Sequence, residues 1–285
     1  MSSFYNRVFS LELDGREFIL ETTGRQFRVV FKILHDFGGY TSYADIQIYG
    51  LSRETEAKVF KTGQKIAFRC GYEDNVDYIF KGDLVNLLRE KRGTDRITRL
   101  ICRSGAQARD NSSIYKTLGT GTVLPDVIKA CADAMGLSLV INANDFSAAR
   151  PFSRGRALNG SPDEYLKKLA KENGFNYVIE NEKVIVSGLS SYREGSITQI
   201  SQFTGMVGQP EITEEGADVT VKMNPKVKLF GRFQVSSEYK TFNFNNIYFQ
   251  NVKESDGLGV YRIFRIEHSG DSYGDEWDTK ITGFR

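Results

Sequence analysis

The chain has little cysteine, proline and tryptophan, a nearly balanced charge, and no long apolar run. Its 285 residues include 3 Cys, 5 Pro and 1 Trp. Cys70, Cys102 and Cys131 are far apart and odd in number. No Cys-x-x-Cys pair or Cys/His spacing suggests a zinc site, so buried free thiols in a protein folded in a reducing cytoplasm are expected. With so few prolines, no stretch reads as a disordered linker. Lys and Arg number 38 against 36 Asp and Glu, a net charge of +2. Composition therefore gives no strong pull towards nucleic acid or a membrane surface. No apolar run approaches the ~20 residues of a membrane span. Met1 to Arg7 lacks the apolar core of a secretory leader, so synthesis in a cytoplasm without a membrane anchor is the expectation.

What the chain does have is length and aromatics. At 285 residues it is too long for one small core, and two or three domains are expected. There are 20 Phe and 14 Tyr. With abundant Val, Ile and Thr they favour extended structure, because flat and branched side chains pack well on a pleated surface. One pattern occurs twice, about 180 residues apart. Tyr78-Ile79-Phe80-Lys81-Gly82-Asp83 leads through a polar run to Gly93-Thr94-Asp95-Arg96-Ile97-Thr98-Arg99-Leu100. Tyr261-Arg262-Ile263-Phe264-Arg265-Ile266 leads through Gly270-Asp271 to Gly274-Asp275-Glu276-Trp277-Asp278-Thr279-Lys280-Ile281. Each copy reads as an aromatic-rich strand, a Gly/Asp turn and a second strand. Duplication of a β-module suggests a protein built for assembly.

Residues 1–105 read as consecutive strands. Phe27, Val29, Phe31 and Ile33 alternate with Arg28, Val30 and Lys32, Ala44, Ile46 and Ile48 with Asp45 and Gln47, and Ile66, Phe68 and Cys70 with Lys65 and Arg69. A period of two places one face on a core. Asp14-Gly15, Gly38-Gly39, Gly71 and Gly93 punctuate the run, and a short helix capped by Ser52 is predicted up to Phe60. Residues 106–190 change character to an α/β insert. Leu124, Val127, Ile128, Cys131 and Met135 form one face of a helix that stops at Gly136, with a strand over Leu137 to Ile141. Ser161-Pro162-Asp163-Glu164 starts a second helix, ending at Gly174. Phe175 to Glu180 and Lys183 to Ser187 form a hairpin turning on Asn181-Glu182. Residues 191–285 return to strands: Val219 to Met223, Val227 to Ser236, Phe244 to Val252 and the closing pair. Tyr239 to Asn251, rich in aromatics and Asn, reads as a hairpin or as a loop ordered on contact. The fold class is mainly β, two antiparallel barrel or sandwich domains (1–105 and 191–285) flanking a small α/β domain (106–190).

No catalytic constellation emerges. His268, Ser269 and Asp271 are nearly contiguous, whereas a triad requires side chains converging from separate elements. Gly119-Thr120-Gly121 lacks the Lys and third Gly of a phosphate loop and reads as a turn before a helix. Asp271, Asp275, Glu276 and Asp278 do not match a calcium loop and read as a solvated hairpin tip. No residue is nominated as catalytic, cofactor-binding or metal-ligating. The densest charge feature is Arg89, Lys91, Arg92, Arg96, Arg99 and Arg103, diluted by Glu90 and Asp95. It reads as a solvated face, a protein interface, or a contact for passing nucleic acid. Glu211, Glu214, Glu215 and Asp218 have the opposite sign. Candidate subunit-interface residues are therefore Arg89, Arg92 and Arg96 on one copy and Glu211, Glu214 and Glu215 on the next.

The run Ala44-Asp45-Ile46-Gln47-Ile48-Tyr49-Gly50-Leu51-Ser52, then Gly71-Tyr72, Tyr78 to Gly82 and Leu100-Ile101-Cys102, resembles the N-terminal part of baseplate central hub proteins of contractile-tailed bacteriophages. Tyr261 to Ile266, Gly270-Asp271 and Trp277 to Gly283 resemble the closing strands of that tail-tube-like family, which is related to phage late control protein D and type VI secretion spike proteins. The resemblance spans most of the chain. It implies two tube-like β-domains per chain and a homotrimer with pseudo-sixfold symmetry in the virion baseplate. It implies as partners the tail tube or a tube initiator, the central spike and other baseplate proteins, with genomic DNA passing through the lumen. Closed rings of this kind hide strand edges between subunits. Some relatives or their partners carry lysozyme-like activity, for which this chain shows no carboxylate signature. The alternative is a tail-associated cell-wall-degrading enzyme or carbohydrate-binding module working through the insert.

Overall fold

The computed structural model describes residues 6–20, 27–38, 41–213, 215–243 and 259–285. The first β region contains β1 (Arg7–Leu13), β2 (Arg16–Leu20), β3 (Val29–Asp36), β4 (Thr41–Tyr49), α1 (Arg53–Val59), β5 (Lys65–Tyr72), β6 (Asn75–Arg92) and β7 (Asp95–Arg103). Alternation decides which side chains turn inward. Val29, Phe31 and Ile33 on β3, Ala44, Ile46 and Ile48 on β4, and Ile66, Phe68 and Cys70 on β5 are all buried in one core. The Ser52 hydroxyl accepts from the Thr55 amide at 3.0 Å and caps α1 as the sequence predicts. Asp14 and Gly15 both have positive φ (50° and 77°), the geometry of a tight two-residue hairpin between β1 and β2.

The insert follows as α2 (Ala106–Asn111), β8 (Ile114–Leu118), α3 (Leu124–Ala134), β9 (Ser138–Ile141), β10 (Arg156–Gly160), α4 (Pro162–Asn173), β11 (Phe175–Glu180) and β12 (Lys183–Gly188). Leu124, Val127, Ile128 and Cys131 of α3 face Leu166, Leu169 and Ala170 of α4 in a second core. Ser161 caps α4 through the Glu164 amide, and Gly174 closes it in the left-handed region (φ 66°). The β11–β12 hairpin is buried on both faces. Tyr177, Ile179, Val184 and Val186 point into the insert core, while Val178 and Ile185 point into a third core built from the C-terminal strands. Its turn residues Asn181 and Glu182 both have positive φ. They are held by the first β region: Asn181 Oδ1 accepts from the Lys81 amide at 2.7 Å, and Glu182 Oε1 accepts from the Gly105 amide at 2.8 Å.

The C-terminal strands are β13 (Thr198–Ser201), β14 (Met206–Thr213), β15 (Gly216–Lys222), β16 (Arg232–Ser236), β17 (Thr241–Asn243), β18 (Gly259–Asp271) and β19 (Trp277–Phe284). The strand predicted over Val227 to Ser236 begins at Arg232. Val227 to Gly231 instead turns, with Phe230 at φ 61° and its amide bonded to the Ile263 carbonyl at 3.0 Å. The strand predicted over Phe244 to Val252, and most of the Tyr239 to Asn251 segment, lie outside the described residues. At Gly216 a side chain has no room, because a Cβ there would lie 1.8 Å from the Gly283 carbonyl oxygen of β19.

Antiparallel pairing runs without interruption through β2, β1, β5, β6, β7, β4, β3, β18, β19, β15 and β14. The joint is β18. One edge pairs with β19 from Arg262 to Gly270. The other edge pairs first with β16 (Gly259 to Arg262) and then with β3 (Arg265 to Asp271). The closing hairpin is therefore a seam between the two β regions. Trp277 crosses it: fully buried in the first core, edge-on to Phe31 at 5.3 Å, its indole N–H donating to the Gly71 carbonyl at 3.2 Å.

Candidate functional site

The β6–β7 hairpin presents an open sheet edge. β6 is 18 residues long. Its first half pairs with β5 as far as Asp83 and its second half pairs with β7 from Asp83 to Arg92. Beyond Leu84 the outer edge of β6 has no strand partner among the described residues. A shift of register at Val85 marks a bulge there. Val85 and Leu88 are exposed along this edge. Such an edge is a template for another chain, and charged side chains on it are how sheets restrict which chain pairs.

The structure sorts the basic run by register. Arg99 is committed within the chain: its guanidinium donates to Asp45 at 2.6–3.0 Å and to Glu90 at 3.1 Å. These bonds hold it above its ordinary range. Arg89 is bonded to Glu56 of α1, a buried carboxylate that also accepts from the Thr98 hydroxyl at 2.9 Å. Arg103 is bonded to Asp110, and Arg92 lies 3.8 Å from Glu90. Lys91 and Arg96 stand directly opposite each other across the hairpin, both exposed, with no carboxylate within 4 Å among the described residues. Like charges in direct cross-strand opposition are destabilising. Of the three arginines named from sequence, Arg96 has no partner among the described residues, Arg92 is loosely paired and Arg89 is bonded to Glu56.

The acidic candidates lie on a different hairpin. Glu211 of β14 is opposite Asp218 of β15. The Glu211 carboxylate accepts from the Asn243 side-chain amide at 2.6 Å, and Asp218 is 3.2 Å from Lys280. Glu215 is exposed in the turn between the two strands. Glu214 lies outside the described residues. Among the described residues no ladder and no ion pair joins β6–β7 to β14–β15, so these basic and acidic groups are not paired within one chain.

The His268–Asp271 sequence resolves as a strand end and turn. His268 is fully buried, bonded to the Thr279 hydroxyl at 2.9 Å and edge-on to His35 at 5.7 Å. His35 in turn sits between the Ser42 hydroxyl (2.7 Å) and the Ile79 carbonyl (2.9 Å). Burial keeps both imidazoles below their ordinary range. Asp271 accepts from Arg28, which holds its carboxyl below the usual carboxylate range. The three cysteines are free and buried, and desolvation pushes the Cys131 thiol up to about 12. Among the described residues no group of His, Cys, Asp and Glu could hold a metal ion, and no helix is long and apolar enough to cross a membrane. Sequence reading missed the open β6 edge and the histidine pair at the seam, because both depend on pairing between strands far apart in the chain.

The fold is an antiparallel framework of linked β regions with a clamped α/β insert. The structure superposes on a 43 kDa tail protein of prophage MuSo2 from Shewanella oneidensis with TM-score 0.65 and 12% identity, covering 98% of each chain. It is similar to a tail protein from Neisseria meningitidis MC58 (TM-score 0.63, 12% identity, 99% and 97% covered). It is also similar to the Escherichia coli c3393 protein, a type VI secretion component (TM-score 0.56, 10% identity, 96% and 76% covered). At these identities the likeness is one of fold. No curated protein matches the chain. The family model of Baseplate hub gp41 matches residues 41–248, and the chain belongs to that family of phage-tail structural proteins.

Proposed function

We propose that this chain is a structural baseplate hub that assembles as a homotrimer, its two β regions giving a pseudo-sixfold ring between a hexameric tail tube and a trimeric spike. The ring leaves a central channel through which the genome passes, and the protein acts in the virion without catalysing a reaction. On this reading the chain divides into β-domain 1–105, α/β insert 106–190 and β-domain 191–285, with the β18–β19 seam fixing the two β-domains to each other. The observation that carries the proposal, given the family, is the β6 edge beyond Leu84: among the described residues it has no strand partner, and Lys91 and Arg96 have no carboxylate within 4 Å. A neighbouring subunit supplies what that edge lacks, and its Glu211 and Glu215 have the complementary charge. Contact with the spike is supported by likeness to a chain of a Francisella PdpA–VgrG complex (TM-score 0.53) and to the c3393 protein, which is itself structurally similar to the T4 tail proteins gp27 and gp5.

Two assays test this. Light scattering on the purified chain is expected to give the trimer mass, and a peptidoglycan turbidity assay is expected to show no clearing. Lysis by a monomeric chain would overturn the proposal in favour of a cell-wall-acting tail enzyme.

A further inference from the structure

The two hairpins that share a sequence pattern end close together. Arg28 donates to Asp271 at the base of the β18–β19 turn and stacks over the Tyr49 ring at 4.9 Å, and Tyr49 pairs with Ile97 beside the β6–β7 tip. This end of the molecule thus carries two tips of opposite charge. One holds Lys91 and Arg96. The other holds Asp275 and Glu276, both exposed, beside Tyr273, which is 52% exposed. The acidic tip is rigid at its base: the Arg7 guanidinium donates to the Asp275 carbonyl at 3.0 Å, and the Asp271 amide bonds the Glu276 carbonyl at 2.9 Å.

The far end of β18 is its converse. A groove of ≈ 690 Å³ opens there, walled by Phe37, Tyr192, Phe230 and Phe264 and carrying Arg232 and Arg262. Arg232 lies 3.8 Å over the Tyr192 ring and Arg262 lies 4.9 Å over the Phe230 ring. Arg262 reaches the carbonyls of Leu189 and Gly188 and the Ser187 hydroxyl, all uncharged. Neither guanidinium has a carboxylate within 4 Å among the described residues, and the buried Nε of each has no hydrogen-bond partner. Asp145 acts on Arg262 from beyond 4 Å, but burial still lowers the guanidinium's pKa, and a carboxylate entering the groove would offset that cost. The acidic Glu215 turn adjoins this groove, since the Glu215 carbonyl accepts from the Arg285 amide and Arg285 lines the groove.

One end therefore offers a basic edge and an acidic aromatic tip, and the other an acidic turn and a basic aromatic groove. They are separated by about 30 Å of β18 at the usual strand rise. Two different, complementary patches at opposite ends define a head-to-tail contact, which closes into a ring when the rotation between neighbouring copies is a whole fraction of a turn and otherwise runs on as a filament. We propose that the β18–β19 tip of one copy, with Tyr273, Asp275 and Glu276, seats in the arginine-lined groove of a second copy. The tyrosine ring packs among the groove aromatics while the two carboxylates face Arg232 and Arg262. The proposal rests on the ring reading above and names one of its contacts.

The test is a charge swap with rescue on the full chain. Asp275→Arg with Glu276→Arg is expected to raise the dissociation constant of the oligomer by about tenfold or more, since like charges are then opposed across the contact. Adding Arg232→Glu is expected to restore most of that loss. As a second measurement, Tyr273→Cys with Leu189→Cys and a short bismaleimide is expected to give covalent oligomers, with the three native thiols buried and silent. Oligomerisation untouched by the swap, weakening without rescue, or no cross-link in a chain that still oligomerises would overturn this contact while leaving the ring intact. A wild-type chain that stays monomeric at every accessible concentration would overturn both.

Discussion

The β6–β7 and β18–β19 hairpins are alike in sequence and opposite in circumstance. β18–β19 is paired on both outer edges and carries Trp277 into the core of the other β region. Beyond Leu84, β6 has no outer partner among the described residues, and its tip holds two cations in opposition. The same local pattern thus serves once as an internal seam and once as an outward edge. What separates them is not the strand signal but what lies alongside: β3 and β15 flank one hairpin, whereas the other has a partner on only one side at its far end. A module that closes one sheet and leaves its twin open suits a protein that must be rigid within a chain and incomplete without a neighbour.

Breaking the seam has the largest expected effect. Trp277→Ala removes a fully buried indole and the bond to Gly71, and is expected to cost roughly 3–5 kcal/mol. Urea unfolding followed by far-ultraviolet circular dichroism is expected to show both β regions lost in one transition at a lower midpoint. A second transition at the wild-type midpoint would mean that the β regions are independent. Next is the base of the open hairpin. Glu56→Ala leaves Arg89 and the Thr98 hydroxyl without their carboxylate, with an expected cost of about 1–3 kcal/mol. A change within error would show that α1 does not brace the hairpin.

The seam also has a pH signature. His35 and His268 have folded-state pKa values lowered by burial, so the unfolded chain takes up protons first as pH falls. Stability contributed by these neutral imidazoles is complete above the ordinary histidine value near 6.5 and declines below it. The lowered carboxyl of Asp271, bonded to Arg28, adds a separate loss below about pH 4. Melting temperature against pH is expected to fall in two stages, and His268→Gln is expected to flatten the first. A single stage near pH 4 in the wild type would contradict the account of the seam. The smallest effect on the isolated chain has an informative sign. Lys91→Glu replaces the cationic opposition to Arg96 with an ion pair and is expected to stabilise the monomer by about 0.2–1 kcal/mol. The same change is expected to weaken assembly, measured by sedimentation. Stronger assembly would mean that the basic edge does not meet an acidic neighbour.

Much of the fold was legible from local signals. Alternation in β3, β4 and β5, the Ser52 and Ser161 caps, and the Asn181–Glu182 turn each depend on a few adjacent residues. The β3–β18 pairing was not, because nothing within either strand names a partner more than 200 residues away. Nor was the two-faced burial of β11–β12, since a continuous apolar run such as Val184 to Val186 is the same whether one face or two is covered. The candidate edge was half legible. Sequence marked Arg89, Arg92 and Arg96 as a group, but cross-strand register decides that Arg96 and the unnominated Lys91 lack partners among the described residues while Arg89 has Glu56. The arginine groove gave no sequence signal, because Tyr192, Arg232 and Arg262 come from three separate segments.

If three copies, each with two linked β regions, make one ring, native mass spectrometry of the purified chain is expected to show a dominant species at three times the 32.2 kDa chain mass. A monomer at every concentration, or a species of six chains, would contradict it.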